Sequence, residues 1–125
     1  MDAGKYLWGL TGGNRGIVNA YIAGGAGTTA DLVSNATVGA TNRIVPVWVL
    51  ITASGAAGAN PLELRATDNS NSMFKLPLIN TATYPKFFMY GVRFINTFSA
   101  GMGIEYVIGI HQNTSITMGY YLIPV

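Results

Sequence analysis

In the stretch "PLELRAT" (61–67), Leu62, Leu64 and Ala66 share one parity and Glu63, Arg65 and Thr67 the other. A two-residue period marks an extended strand with one dry and one wet face. It recurs along the chain. "IVNAYIA" (17–23) is a short β-rich run, and "MFKLPLI" (73–79) puts Phe74, Leu76 and Leu78 on one face with Lys75 on the other. "KFFMYGVRFI" (86–95) aligns Phe88, Tyr90, Val92 and Phe94, and "GIEYVIGI" (103–110) aligns Ile104, Tyr106, Ile108 and Ile110. "SITMGYYLIPV" (115–125) aligns Ile116, Met118, Tyr120 and Leu122. "RIVPVWVLITA" (43–53) is apolar at both parities, as a strand covered on both faces is. Pro46 lacks an N–H for the ladder, so it belongs near an edge or a bulge.

Between these runs lie "SGAAGAN" (54–60), "DNSNS" (68–72), "NTATYP" (80–85), "SAG" (99–101) and "HQNTS" (111–115), all rich in turn-forming residues. No window carries a capped apolar stripe at helical spacing. The pattern predicts an all-β fold, an antiparallel β-sandwich or a small barrel. Residues 1–16, "MDAGKYLWGLTGGNRG", hold five glycines and one apolar knot of Tyr6, Leu7, Trp8 and Leu10. They read as an extended N-terminal arm, with residues 17–125 as a single sandwich domain.

The glycines of "YIAGGAGTTADL" (21–32) place Gly25, Gly27 and Ala30 at the G-x-G-x-x-G/A spacing of a dinucleotide loop. That loop needs a helix behind it and an acid about 20 residues on. The adjoining "ADLVSNATVG" is too short and too β-branched for the helix, and no Asp or Glu occurs between Asp31 and Glu63. The stretch therefore reads as a flexible connector, and no cofactor is expected.

Other chemistry is equally thin. The chain has no cysteine, which excludes disulfides and thiolate sites, and His111 is its one histidine. His111 and Glu105 sit about 20 Å apart along an extended strand, beyond mutual reach within it. Glu63 and Asp68, the nearest approach to a catalytic carboxylate pair, fall on an outward parity and at a turn, and read as solvated charge. Trp48, Phe88, Tyr90, Phe94, Tyr106 and Tyr120 occupy inward or doubly covered positions and read as core. Trp8, Tyr84 and Tyr121 read as exposed aromatics suited to a subunit contact or a sugar platform. No metal site, small-molecule substrate or enzymatic activity is expected.

Half of the residues are hydrophobic and only 10% are charged, against a usual charged fraction of about 25%. So few charges cover a small domain thinly, which points to surface hidden against other chains. The basic residues are scattered, with no run that reads as a nucleic-acid footprint. Neither uncharged stretch, 44–62 or 106–125, has the ~20 apolar residues of a spanning helix, so no membrane partner is expected. No secretory signal is recognised at the N-terminus.

Over its C-terminal two-thirds the chain resembles small bacteriophage head proteins of the decoration, or cement, type. The resemblance lies in the order of "GATNRIVPVWVLITAS" (39–54), "NPLELRATDNS" (60–70), "YPKFFMYG" (84–91), "SAGMGIEYVIGI" (99–110) and the terminal "SITMGYYLIPV". It implies a jelly-roll or TNF-like sandwich, a homotrimer, and the major capsid protein as partner. It also implies a place on the capsid exterior of the virion after synthesis in the host cytoplasm. Tyr6, Leu7, Trp8 and Leu10 are then the expected contact to the capsid or a neighbouring subunit. The alternative is a receptor- or glycan-binding tip domain of a phage fibre or adhesin.

Overall fold

The computed structural model describes residues 15–54, 62–68, 72–76, 84–89, 98–109 and 113–125. Within these residues eight strands and one short helix run in the order β1 (Arg15–Ile22), β2 (Thr28–Val33), α1 (Asn35–Val38), β3 (Asn42–Ser54), β4 (Leu62–Ala66), β5 (Ser72–Leu76), β6 (Tyr84–Met89), β7 (Ile104–Ile108) and β8 (Asn113–Pro124). They form two four-stranded sheets, β1-β8-β3-β6 and β2-β7-β4-β5, with every pairing antiparallel.

The pairings have a simple rule. First meets last (β1 with β8), then β2 meets β7, β3 meets β6, and β4 meets β5. The chain is thus one long hairpin folded at its middle. Rolling that hairpin adds the contacts β3 with β8 and β4 with β7, which close the two sheets. This is the double-sheet jelly roll. It confirms the all-β sandwich and removes the closed barrel as an option.

The two inner faces supply the core. Val49, Ile51, Ile116 and Met118 from the first sheet meet Leu62, Leu64, Ala66, Ile104 and Ile108 from the second, all essentially without solvent exposure. The inward parity expected for β4, β7 and β8 is therefore the observed one. Each Leu or Ile so buried contributes roughly 1.5–3 kcal/mol relative to exposure.

Three local features differ from the sequence reading. First, residues 28–33 are a strand rather than connector. In "TTADLV" the inward positions begin with Thr28 and Ala30, too small to show a clear period. A bulge between Asp31 and Val33 then lets Leu32 and Val33 both be buried. Second, Asn35–Val38 form a single helical turn, too short to display any apolar stripe. Ser34 caps it by accepting the Thr37 N–H, and Val38 is fully buried beneath it. Third, β1 begins at Arg15, so Arg15 and Gly16 belong to the sandwich and not to an arm.

Pro46 sits where its missing N–H requires. A bulge lies between Pro46 and Trp48, and the register of β6 along β3 runs only from Trp48 to Ala53. The bulge also resets the alternation. Before it Ile44 points inward; after it the inward residues are Val49 and Ile51.

Candidate assembly surface

The bulge at Val47 decides what the first sheet shows to the outside. Uninterrupted alternation from Ile44 would turn Trp48 into the core. The extra residue turns Trp48, Leu50 and Thr52 outward instead, each half-buried. Trp48 is therefore not a core aromatic, contrary to the expectation of a strand covered on both faces. Tyr106 and Tyr120 are core, as expected.

Cross-strand register then assembles the outer face row by row. Tyr21 lies beside Ser115, which lies beside Thr52; Asn19 beside Thr117 beside Leu50; Ile17 beside Gly119 beside Trp48; Arg15 beside Tyr121 beside Val45. The strands of this sheet contain no acidic residue, and Arg15, Arg43 and Lys86 are their basic ones. The polar groups that do occur are turned to one another. The Asn19 amide donates to Thr117 Oγ1 at 2.7 Å, to Ser115 Oγ at 3.1 Å and to the Ile116 carbonyl at 3.3 Å. What remains is a broad aromatic and aliphatic surface around Trp48, Leu50, Tyr121 and Ile123.

The second sheet presents the opposite character. Its outer rows run Asp31, Glu105, Arg65 and Thr29, Val107, Glu63, Lys75. Arg65 donates through Nε and Nη2 to Glu105 Oε2 at 3.2 and 3.1 Å, and through Nη1 to Glu63 Oε1 at 3.4 Å. Ser72 Oγ donates to Glu63 Oε2 at 2.7 Å, and the Lys75 ammonium approaches the same oxygen at 3.9 Å. Glu105 is buried to 8% exposure, so its charge is tolerable only because the guanidinium lies against it. Glu63 is thus part of an ion-pair network rather than an isolated solvated charge. Three of the chain's five acidic residues (Asp31, Glu63 and Glu105) sit on this face. The sandwich has one wet side and one greasy side.

Several residues singled out in the sequence, Tyr6, Leu7, Trp8 and Leu10 together with His111, lie outside the described residues. Glu63 and Glu105 are brought together through Arg65, not into a catalytic pair. Gly25 and Gly27 occupy the short link between β1 and β2, and the link leads into a strand, so no helix N-terminus faces them. Among the described residues no group of three His, Cys, Asp or Glu could hold a metal, and no helix is long and apolar enough to cross a membrane. Sequence reasoning missed Tyr21, at 67% the most exposed large apolar side chain among the described residues. Its parity in "IVNAYIA", opposite to Val18 and Ala20, was the available signal.

No protein-family model matches the chain, and no curated protein does. Among solved structures, a chain from work described as "Bacillus endospore appendages form a novel family of disulfide-linked pili" is similar to it, with 10% identity and a TM-score of 0.31. The alignment covers 90% of this chain and 92% of that one. At that score neither fold nor function passes from one to the other; the jelly-roll assignment stands on the strand order alone.

Proposed function

We propose that this protein is a structural subunit of a virion, a homotrimeric decoration protein that binds and stabilises a phage capsid. The observation that carries the reading is the contrast between the two outer faces. A sheet surface of Trp48, Leu50, Tyr121 and Ile123 without a single carboxylate is composed like a subunit interface, where aromatics are enriched and acids depleted. The charge-laced outer face of the second sheet is composed like a surface that stays in water. Jelly rolls serve widely as capsid domains, and the number three and the capsid partner come from the resemblance to small trimeric decoration proteins.

The energetics accommodate it. A specific interface buries about 1,200–2,000 Å² in all, and at ~25 cal/mol per Å² of apolar area this outweighs typical association costs. Three linked copies on a shell gain further through multivalency.

Light scattering on the purified protein tests the proposal. The expected mass at micromolar concentration is that of a trimer, and Leu50→Lys should abolish the trimer while leaving the protein folded. A monomeric wild-type protein, or one missing from purified particles, overturns it. The glycan-binding alternative draws support from one observation, the 67% exposed Tyr21 ring beside the amide and hydroxyls of Asn19, Ser115 and Thr117. A glycan array separates the two readings, since a decoration protein gives a blank array.

A further inference from the structure

Each sheet of an open sandwich ends in two edge strands, and an edge is a row of unpaired N–H and C=O groups ready to take another strand. Proteins blunt such edges with charges, prolines, bulges or short length. Three of the four edges here are blunted. β2 carries Asp31 and a bulge, β5 is five residues long with Lys75 and a bulge, and β6 contains Pro85 and Lys86.

β1 differs. It is eight residues long, pairs with β8 in unbroken register, and from Gly16 to Ile22 holds neither charge nor proline. Among the described residues no strand pairs with its outer side. Its side chains facing out of the sheet include Ile17 at 60% and Tyr21 at 67% exposure. These flank Asn19 symmetrically.

We propose that β1 is a pairing edge for β1 of a second copy of this chain, antiparallel across a two-fold axis through Asn19. Opposed residues in an antiparallel pair point to the same side, so only registers that set outward residues against outward residues are allowed. Of these, the register centred on Asn19 places Ile17 of each copy against Tyr21 of the other. That is an aromatic–β-branched pair, made twice, and such pairs are the favourable units of cross-strand packing. Val18 then faces Ala20, and Gly16 faces Ile22. Each Arg15 falls opposite Ala23, so the two guanidinium groups stay apart. Centring on Val18 would set Ile17 against Asn19 and Arg15 against Tyr21, and centring on Ala20 would set Tyr21 against Asn19. Both leave the exposed apolar side chains unmatched. The product is one continuous eight-stranded sheet, β6-β3-β8-β1 running into the second copy's β1-β8-β3-β6.

This contact goes beyond the trimer reading and uses a different surface, the rim of the sheet rather than the face around Trp48 and Leu50. In a trimer, three such rims would link neighbouring trimers through two-fold contacts.

Because the chain has no cysteine, single-cysteine variants report the register directly. Across the axis the two Cα atoms at position 19 lie about 4.5–5.5 Å apart, within disulfide reach. The two copies of position 17 lie ~13 Å apart along the strands, beyond it. Under mild oxidation, Asn19→Cys should form a covalent dimer at least ~10-fold faster than Ile17→Cys or Tyr21→Cys alone. A mixture of Ile17→Cys with tagged Tyr21→Cys should give the mixed dimer. Adding Ile17→Lys to Asn19→Cys should slow cross-linking by about ten-fold. Circular dichroism confirms that each variant is folded. Equal rates for Asn19→Cys and Ile17→Cys, no mixed dimer, or an Asn19→Cys thiol that stays reduced because the chain's own N-terminal segment covers the edge would each overturn the proposal. Dispersal of the trimer by Leu50→Lys leaves this cross-link intact, so the two readings fail separately.

Discussion

Among the described glycines, Gly103 is the one whose added methyl group would meet backbone most closely, and the structure allows the damage to be worked out. It stands just before β7, where the chain passes under the corner between β2 and α1. A Cβ there would lie 2.1 Å from the Val33 carbonyl oxygen, 2.8 Å from the Ser34 carbonyl carbon and 3.0 Å from the Asn35 nitrogen. All three are backbone atoms, so no rotamer change relieves the overlap. Something must move by about 1 Å, and overpacking of this kind costs roughly 1–3 kcal/mol. The movement also strains two anchors of the corner. The Gly103 N–H donates to Asn35 Oδ1 at 2.7 Å, and Val33 pairs with Ile104. Losing one such hydrogen bond adds about 1 kcal/mol. Gly103→Ala should therefore lose about 3 kcal/mol, which for a domain of this size lowers Tm by about 10 °C. Urea denaturation followed by far-UV circular dichroism, at one fixed protein concentration for all variants, measures it. Gly27→Ala is the reference: its Cβ would meet the Ile108 carbonyl oxygen at 3.2 Å, which a small shift relieves. If Gly103→Ala unfolds within ~0.5 kcal/mol of wild type, the corner is looser than these distances imply and the close-approach argument is wrong.

Asn35→Ala removes the acceptor shared by the Gly103 N–H and Thr67 Oγ1 and should cost about 2 kcal/mol in the same assay. Leu64→Ala empties a fully buried site at the centre of the second sheet, with an expected loss of roughly 2–5 kcal/mol by urea titration. Arg65→Ala strips Glu105 of its guanidinium; the expected loss is about 1–2 kcal/mol, and adding Glu105→Gln should recover part of it in a double-mutant cycle. Ser34→Ala takes the cap from α1, an expected loss of about 1 kcal/mol by thermal melt.

The strands that could be read in advance are those whose inward residues are large. Leu62 and Leu64 in β4, Ile104 and Ile108 in β7, and Ile116 and Met118 in β8 announce their face by size alone. β2 could not be read this way, because Thr28 and Ala30 are too small and the bulge at Leu32 breaks the period. α1 was hidden because one turn has no stripe. In β3, apolar residues at both parities do not tell which face is dry, so Trp48 reads as core; the inserted Val47 sets the destination of everything after it. Proline at position 46 was the clue that an irregularity lay nearby. Strand order was beyond reach, since alternation says which side of a strand is dry but not which strand lies beside it. The expected capsid contact through Tyr6, Leu7, Trp8 and Leu10 lies outside the described residues; the apolar outer face described above lies on β1, β3 and β8.

The pairing of first strand with last has a consequence for how the protein is made. β8 runs between β1 and β3 and hydrogen-bonds to both, yet it leaves the ribosome after the seven other described strands. Until then β1 and β3 have no central neighbour, and the first sheet cannot form around them. Such non-local closure is slow, and the waiting chain exposes its apolar strands to its surroundings. The first sheet therefore closes only once β8 has been made, and the chain before that point is the stage most open to wrong association.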